Sequence, residues 1–471
     1  MSCVIWWVRR DLRLHDNPAL HAAVQTGAPV VPVYIHAPAE EGVWAPGGAA
    51  RWWQYHSLDA LACGLVEAGS PLVIRAGESL AELRKLVAET GATAVYWNRL
   101  YEPARVAHDR EIKQKLREQG VATASFNGAL LCEPWAVRTS QGNPYRVFTP
   151  FWRQLAARLD EQAPLPAPGR LSGPARAPRS TPLTGLGLLP AVNWAGGLAA
   201  SWSPGEAGAL ARLEQFRDSA LTGYESHRDD PARDGVSGLS PWLHHGEISP
   251  RQVLAAVRER PGAQAFTRQL GWREFAHHVL FNFPDCPEKP LNPDFEHFPW
   301  RRDYQELLAC WQQGRTGFPI VDAGMRQLWH TGWMHNRVRM IVASLLVKNI
   351  RAPWQDGASW FWDTLVDADL ANNSLGWQWA GGCGADAAPY FRIFNPVRQG
   401  ERFDPDGDYV RHWVPELEAV PQRYLHQPWR MPDVMQADCG VRPGRDYPFP
   451  VIDLARSREE ALEAFRKLRG R

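Results

Sequence analysis

The chain has 471 residues, of which 45% are hydrophobic and 22% charged, with 52 basic against 51 acidic side chains. This composition is typical of an ordinary globular protein of about two large domains, and it excludes disordered, collagen-like and highly charged classes. Tryptophan is unusually frequent, since 23 indoles outnumber 17 phenylalanines and 11 tyrosines. So many indoles suggest a special use of this side chain.

The seven cysteines are scattered singly along the chain, without a C-x-x-C pair. This spacing argues against a disulfide framework, a zinc site and an iron-sulfur cluster, so we expect no metal and a reducing compartment. The apolar run at the N-terminus is too short for a signal peptide, and none approaches the roughly 20 residues that cross a bilayer. We therefore expect a soluble, cytoplasmic protein with no membrane partner.

Short apolar runs alternate with helical segments in the first 120 residues. The predicted strands cover residues 3–8, 29–35, 71–75 and 93–97. The predicted helices begin after the cap Asn17 with Pro18 in the first turn, and cover 79–90 and 103–118. This alternation is typical of parallel strands with crossover helices. The sequence therefore predicts an α/β, Rossmann-like domain with a parallel sheet over residues 1–130.

The middle of the chain changes in composition. Residues 161–205 are dominated by Pro, Gly, Ala and Ser, which favours a long interdomain linker, over 131–204. Beyond residue 205 strand signals nearly vanish, and 338–346 and 457–468 have the apolar stripe of amphipathic helices. We predict an all-α domain over residues 205–471.

Three blocks resemble the photolyase and cryptochrome family: RRDLRLHDNPAL at 9–20, TGFPIVDAGMRQLWHTGWMHNRVRM at 316–340, and DADLANNSLGWQWAGGCGADAAPYFRIFNP at 367–396. Within the family the chain is most similar to class I cyclobutane pyrimidine dimer (CPD) photolyases. The resemblance implies an N-terminal antenna domain and a helical domain that binds FAD. It also implies light-dependent repair of pyrimidine dimers in DNA, by electron transfer from photoexcited reduced FAD, in a monomer.

The third block sets Asp367 and Asp369 two residues apart, among indoles and before a pair of amides. Polar groups in such surroundings need partners, which indicates a buried lining. The resemblance makes Arg339 the partner of Asp367. It assigns FAD binding to Tyr224, Val236, Ser237, Gly238, Leu239, Ser240, Trp333, Asn336, Arg339, Asp367, Asp369 and Asn373. Because Val236 replaces the usual Thr and Gly238 the usual basic residue, we expect a weaker grip on FAD.

Asn373 matches the position near flavin N5, where photolyases have Asn, plant cryptochromes Asp and animal cryptochromes Cys. The resemblance therefore favours a stable reduced flavin and repair over signalling. The chain ends about 75 residues after FRIFNP, so we expect no long signalling tail. A cryptochrome-type blue-light photoreceptor is the alternative. A nucleotide-dependent enzyme built on the α/β domain alone is a third reading, but the sequence has no Walker or G-x-G-x-x-G loop for it.

Three indoles match the family's electron-transfer chain, with Trp377 nearest the flavin, Trp354 in the middle and Trp300 at the surface. Indole suits this role because its ring can be oxidised transiently and its apolar body packs where solvent is excluded. The resemblance therefore gives these three residues a role in photoreduction.

Residues 301–351 contain eight Lys or Arg but only three acidic residues. This basic bias predicts a surface that binds DNA phosphates. Asn336 and Met340 are four residues apart, hence on one helix face. The resemblance implies base flipping into a pocket clamped by indoles. It assigns lesion and DNA binding to Gln269, Trp272, Asn336, Arg337, Met340, Trp379 and Arg392.

Two pocket residues bear on the type of lesion. Photolyases for (6-4) photoproducts have two His where this chain has Asn336 and Met340, so their absence favours CPDs. Gln269 points the other way, because CPD enzymes usually have Glu at this position and (6-4) enzymes usually have Gln. An amide still forms hydrogen bonds to thymine but shares no proton with the reduced dimer, so we expect less efficient repair of the same lesion.

The antenna chromophore stays open. The loop GVWAPGGAARWWQ lacks the His of pterin-binding class I enzymes, and Glu102 in RLYEP occurs with any chromophore. A folate, a deazaflavin, FMN or an empty site are all compatible with the sequence.

Overall fold

The computed structural model describes residues 2–159 and 163–470, and it divides into two compact units. Unit 1 comprises Met1–Thr222, Ser237–Pro284 and Val366–Ala371. Unit 2 comprises Gly223–Val236, Asp285–Leu365 and Asn372–Arg471. The sequence-based boundaries at 1–130, 131–204 and 205–471 stay a prediction, and within the predicted linker residues 160–162 lie outside the described part of the chain.

The regular elements are numbered in chain order. The strands are β1 Val4–Val8, β2 Val30–His36, β3 Val73–Ala76, β4 Ala94–Asn98 and β5 Ala122–Phe126. The helices are α1 Pro18–Gln25, α2 Gly48–Ala68, α3 Ser79–Thr90, α4 Pro103–Arg117, α5 Phe148–Ala156, α6 Gly196–Ser201, α7 Glu206–Gln215, α8 Tyr224–His227, α9 Ser240–His245, α10 Pro250–Val257, α11 Ala263–Asn282, α12 Gln305–Gln312, α13 Pro319–Thr331, α14 Asn336–Ser344, α15 Trp354–Thr364, α16 Leu370–Gly381, α17 Pro396–Phe403, α18 Asp408–Trp413, α19 Gln422–Leu425, α20 Asp433–Cys439 and α21 Leu454–Arg469.

Unit 1 contains a parallel five-stranded sheet in the order β3-β2-β1-β4-β5. The predicted α/β class is therefore confirmed, and so is the Asn17 cap, whose side chain accepts a hydrogen bond from the amide of Leu20. The four predicted strands lie within two residues of their observed bounds. Strand β5 was not predicted, because its sequence ATASF has no apolar run.

Strand β1 is buried on both faces, which explains its continuous apolar sequence. Val4, Trp6 and Val8 point into a core packed against α1 and α2. Ile5 and Trp7 point into a second core, which α3 and α4 cover. The sheet thus holds the carboxyl ends of its strands at one edge, between two helical layers.

The block RRDLRLHDN follows β1 and forms a buried polar network. Arg9 pairs with Asp109 on α4 at 2.6 Å, and Asn98 at the end of β4 donates to Asp11 at 2.6 Å. The Arg13 guanidinium, 1% exposed, donates to the carbonyl oxygens of Gly128 and Gly246 at 2.7 and 2.8 Å. This block therefore ties the strand ends to distant segments of unit 1.

The Pro-rich stretch beyond residue 163 has little regular structure, yet it packs against the sheet. The amide of Leu171 donates to Ala68 O at 2.7 Å, and that of Thr181 donates to Ile74 O at 2.8 Å. Leu171, Leu186 and Leu188 are buried in the core beside α2. A few leucines thus anchor a segment whose overall composition is that of a linker.

The regular structure of unit 2 is helical within its described residues, with loops between the helices and one isolated bridge between Pro443 and Tyr447. The predicted helix at 338–346 is α14, which continues as a π-helical turn over Leu345–Ile350. The helix predicted at 457–468 is α21, which begins three residues earlier behind the cap Asp453. The predicted helical C-terminal domain is therefore confirmed.

The second sequence block, TGFPIVD, forms its own buried cap in unit 2. Asp322 is fully buried and accepts hydrogen bonds from the amides of Thr316 and Gly317 at 2.7 and 3.0 Å. The Tyr447 hydroxyl donates to the same carboxylate at 2.5 Å. This carboxylate therefore orders the turn that precedes α13. No helix in the described part of the chain is long and apolar enough to cross a membrane.

Candidate functional site

In unit 1 the first of the two aspartates, Asp367, lies next to the start of α9. The Ser240 hydroxyl donates to Asp367 Oδ2 at 2.6 Å, and Asp367 is 7% exposed. The amide of Asp369 donates to Asp367 O at 2.7 Å, so the two carboxylates are carried on a tight turn just before α16. The structure therefore brings together three of the predicted FAD residues.

Two histidines flank the second aspartate. His244 Nδ1 and His277 Nε2 lie 3.6 and 3.5 Å from Asp369 Oδ2. Burial alone would raise the pKa of Asp369, but His277, His244 and Arg273 outweigh it and hold that pKa well below its usual value. Asp369 is therefore a buried, ionised carboxylate, and no sequence motif points to its two histidine neighbours.

Charged residues from the sheet complete the surroundings of Asp369. Arg10, after β1, pairs with Glu102, which precedes α4. Burial would raise the pKa of Glu102, but Arg10 reverses this and lowers it. Both residues line a cavity of about 20 Å³ together with His244, His277 and Asp369. That volume has room for about one water, so this small polar cavity links the sheet edge to Asp369.

The predicted substrate residues of unit 1 lie one turn apart on α11. The Trp272 ring stacks face to face on Phe148 of α5, with ring centroids 3.8 Å apart and an interplanar angle of 9°. Gln269 is half-buried, and its amide donates weakly to Ala265 O at 3.4 Å. The chain thus presents a supported indole beside an amide that retains hydrogen-bonding capacity.

In unit 2 Trp377 is enclosed on α16 and is 2% exposed. Phe361 and Trp311 meet it edge-on, with centroids 5.0 and 6.0 Å away. A Cβ added to Gly357 of α15 would come within 2.1 Å of the Trp377 ring, so only glycine permits this approach. These three neighbours therefore fix the position of Trp377, and no sequence motif predicts them.

The other residues of the predicted electron chain lie in the same unit. Trp354 begins α15 and is 1% exposed, whereas Trp300 is half-buried and packs on Phe298 at 4.5 Å. Asn373, on α16, donates through its amide to Ala358 O at 3.0 Å, which fixes its side-chain orientation. Trp377 and Trp354 are thus both buried, and Trp300, the predicted outer member, is the most exposed of the three.

The start of α14 carries several predicted site residues. The Asn336 amide lies 3.9 Å from Met340 Sδ, which confirms that the two share one helix face. Arg337 pairs with Asp229 at 2.7 Å and lies over the Phe403 ring at 4.4 Å. The guanidinium predicted to reach a DNA phosphate therefore already has a carboxylate neighbour.

Arg339 and Trp333 lie together, with the guanidinium 5.9 Å from the indole centroid, and Arg339 also donates to Met334 O at 2.8 Å. Tyr224 begins α8, is 6% exposed and lies under the Arg228 guanidinium at 5.4 Å. The pairing of Arg339 with Asp367 stays a prediction.

Trp379 and Arg392 lie in the second half of the third sequence block. Trp379 is half-buried, and its carbonyl oxygen accepts from the amides of Gly382 and Ala388. Arg392 is exposed, and its carbonyl oxygen accepts from Lys348 Nζ at 2.8 Å. Burial lowers the pKa of Lys348 to about 8. The buried amine of Lys348 thus anchors the loop that carries Arg392.

The predicted phosphate-binding stretch is divided, since Val236 belongs to unit 2 and Ser237–Ser240 to unit 1. Gly238 has a left-handed backbone with φ +63°, which explains a glycine where the family has a larger residue. The Arg212 guanidinium donates to Ser237 O at 2.7 Å and lies 3.2 Å from the place of a Gly238 Cβ. The Arg212 guanidinium from α7 therefore lies beside Gly238, the position where the family usually has a basic residue.

These groups fit a flavin dinucleotide. The ionised carboxylate of Asp369 and the buried side chain of Asp367 can accept from the N–H and O–H groups of a flavin and its ribityl chain. Hydroxyls, backbone amides and a nearby guanidinium around Gly238 suit phosphate oxygens. Within residues 2–159 and 163–470 no three His, Cys, Asp or Glu side chains are grouped as metal ligands.

Two family models match the chain. The model for DNA photolyase matches residues 4–169, and the model for the FAD binding domain of DNA photolyase matches residues 266–467. A deoxyribodipyrimidine photo-lyase from Agrobacterium fabrum is 49% identical over 98% of this chain and 97% of its own length. The chain therefore belongs to the photolyase and cryptochrome family, as its three blocks predict.

Two further comparisons refine this placement. A crystal structure of a bacterial class III photolyase from Agrobacterium tumefaciens superposes with a TM-score of 0.96, at 48% identity, over 100% of this chain and 98% of that one. Cryptochrome-1 of Arabidopsis thaliana is 39% identical over 99% of this chain and 70% of its own length. Because the solved structure is of class III, the sequence-based assignment to class I stays a prediction.

Proposed function

We propose that the chain is a light-driven DNA photolyase that splits cyclobutane pyrimidine dimers. The observation that carries this proposal is the pair formed by Trp272 and Gln269 on one face of α11. The stacked, half-buried indole suits a flipped pyrimidine, and the neighbouring amide suits the carbonyl and imide groups of a thymine. The 49% identity to a named deoxyribodipyrimidine photo-lyase supports the same activity.

FAD, when bound, would supply the photoexcited electron donor. We expect it to be held by the residues that the family resemblance names: Tyr224, Val236, Ser237, Gly238, Leu239, Ser240, Trp333, Asn336, Arg339, Asp367, Asp369 and Asn373. The role of Asn373 is to place an uncharged amide, oriented by Ala358 O, near the reactive ring. An amide there, in place of the Asp of plant cryptochromes or the Cys of animal ones, favours repair over the photoreceptor function.

The chain's own residues would bind and orient the lesion. Trp272 and Trp379 clamp the two pyrimidines, while Gln269 forms hydrogen bonds to one of them. Asn336 and Met340 shape the pocket without the His pair of (6-4) enzymes. Arg337 and Arg392 contact backbone phosphates, and we expect Arg337 to exchange its Asp229 partner for phosphate on binding.

A separate electron path would keep the flavin reduced. Trp377, Trp354 and Trp300 carry electrons inward from the protein surface, and the greater exposure of Trp300 than of the two buried indoles supports this direction. The path needs close, fixed indoles, which the packing of Phe361 and Gly357 on Trp377 supplies.

A second chromophore in the antenna domain is a further part of the proposal. A cavity of about 40 Å³ at the carboxyl edge of the sheet is lined by Tyr34, His36, Gln54 and Arg105. This volume is far smaller than a folate or flavin ring requires, so binding there needs the surrounding loop to open. The absorption spectrum after release of FAD would identify a folate, a deazaflavin or FMN.

Purification in the dark, followed by an absorption spectrum and a repair assay, tests the proposal. We expect a flavin spectrum and repair of thymine dimers in a defined oligonucleotide under blue light, with none in the dark. Asp367→Ala is the control, and it should be colourless and inactive because a carboxylate of the cofactor site is lost. A gently purified wild-type protein without flavin would refute the FAD assignment.

A cryptochrome-type photoreceptor is the second candidate, and the 39% identity to Arabidopsis cryptochrome-1 favours it. The same assay separates the two functions. Flavin photoreduction without any dimer repair, even after chemical reduction of the flavin, would identify a photoreceptor. Repair under blue light would identify a photolyase.

A further inference from the structure

Three aromatic rings of unit 1 lie nearly parallel, from α5 to the indole at position 272. The Phe148 ring is 3.8 Å from Trp272 at 9°, and it is 6.3 Å from Trp152 at 12°. Phe148 is fully buried, whereas Trp152 and Trp272 are half-buried. The buried ring therefore lies at the centre of a short stack with a half-buried indole at each end.

Phe148 is itself held firmly. Phe275 meets it edge-on with centroids 5.8 Å apart, and the Arg268 guanidinium lies 5.0 Å from its centroid. Gly271 makes room for the far end of the stack, because a Cβ at that position would come within 2.3 Å of the Trp152 ring. These contacts fix the orientation of the phenyl ring, and the Trp272 ring lies parallel to it.

We propose that Phe148 is a positioning residue for lesion recognition, which fixes the Trp272 ring in the plane that a flipped pyrimidine requires. A parallel partner on one face of an indole leaves the opposite face for a base. An indole already held in its bound orientation loses less rotational freedom when the base stacks. The inference rests on the proposed function, since it takes Trp272 as part of the lesion clamp.

The geometry separates Phe148 from its neighbour on the same helix. Phe151 is also buried, at 2% exposure, but it packs on Phe275 and His278 with centroids 5.2 and 5.0 Å away. Replacing either ring with leucine removes a similar amount of buried aromatic surface. Phe148 is the face-on partner of Trp272, whereas Phe151 packs on Phe275, which meets that indole edge-on at 5.9 Å between centroids. Phe151→Leu is therefore a matched control for the face-on contact.

The experiment measures the affinity of FAD-loaded proteins for two oligonucleotides, one with a single thymine dimer and one undamaged. We expect Phe148→Leu to weaken binding of the dimer about 2- to 10-fold, the range of an aromatic pair beyond its buried area, and to leave undamaged DNA unchanged. Phe151→Leu should leave the ratio of the two affinities at the wild-type value. Phe148→Tyr keeps the ring and should restore that ratio.

The outcomes are distinct. A wild-type protein without preference for the dimer overturns the proposed function and this inference together. A wild-type preference that Phe148→Leu and Phe151→Leu lower equally overturns the positioning role alone. If Phe148→Leu does not fold, Trp152→Leu perturbs the stack from its other end and should lower the preference about twofold, about the smallest contribution of an aromatic pair; an unchanged preference overturns the inference.

Discussion

Two indoles of this chain, Trp377 and Trp272, lie in opposite kinds of environment. Trp377 is 2% exposed, and Phe361 and Trp311 meet it edge-on. Trp272 is half-buried and is covered face-on by Phe148. Edge-on packing inside a core fixes the position of a ring and excludes solvent, whereas a single face-on partner leaves a face for a ligand. The same side chain is thereby suited to electron transfer in one region and to base binding in the other.

The largest expected effect concerns Trp377. Trp377→Phe should abolish light-driven reduction of oxidised FAD, because phenyl is much harder to oxidise than indole. Repair should persist if the flavin is first reduced chemically. Both are measured by absorption spectroscopy and a dimer-repair assay.

Trp311 provides the control for this experiment. It is fully buried, and its ring centroid lies 6.0 Å from that of Trp377, but it is not a member of the predicted electron-transfer chain. Trp311→Phe should therefore retain photoreduction. Equal loss in the two variants would show that any disturbance of this core stops the electron path, whereas a normal rate in Trp300→Phe would exclude only the outer member.

The next largest effect concerns the packing of the buried indole. Gly357→Ala places a methyl group 2.1 Å from the Trp377 ring, and the rigid indole cannot give way. Overpacking of this kind costs about 1–3 kcal/mol or more, so chemical denaturation should show a lower free energy of unfolding. The exposed Gly376 has no atom near its Cβ position. Gly376→Ala should stabilise α16 by about 0.5–1 kcal/mol, and destabilisation by both changes would contradict the packing argument.

The half-buried indole should affect binding more than folding. Trp272→Ala removes a stacking surface for a base, worth about 1–3 kcal/mol, and should weaken binding of dimer-containing DNA by about 5- to 150-fold. FAD content should be unchanged. Trp194 is 44% exposed elsewhere in unit 1 and supplies the control. Similar losses in Trp194→Ala and Trp272→Ala would remove Trp272 from the clamp.

The smallest effect is expected next to Trp272. Gln269→Glu restores the charge assistance of a carboxylate, which is worth about 1 kcal/mol, so repair of thymine dimers should improve a few-fold. Repair of a (6-4) photoproduct should be undetectable in both proteins, because Asn336 and Met340 replace the His pair. A slower Gln269→Glu variant, or any (6-4) repair, would show that the pocket works differently.

Local patterns were sufficient for most of the fold. Apolar runs located four of the five strands, and the helix at Ser79–Thr90 was predicted to the residue. Strand β5 could not be predicted because its sequence ATASF has no apolar run, and its pairing with β4 stabilises it. The Pro-rich stretch resembled a linker because composition does not reveal three buried leucines.

The site could be predicted only in part. Family motifs located the aspartates, the amides and the indoles, but not the groups that orient them. Phe148 and Trp272 are 124 residues apart and were assigned to different regions, so no local pattern connects them. The same holds for the histidines beside Asp369 and for the close approach of Gly357 to Trp377. Such contacts depend on the packing of distant segments.

The composition of unit 1 has a consequence for synthesis on the ribosome. The last strand of its sheet ends at Phe126, yet the unit also includes the segment Val366–Ala371, whose Asp367 accepts a hydrogen bond from Ser240. That segment is translated 245 residues after the sheet, a delay of roughly 12–50 s at about 5–20 residues per second. Both cores of the sheet consist of residues up to Leu188, so the sheet can pack during synthesis, before that segment is made. The contact between Asp367 and Ser240 is therefore added to a sheet that has already packed.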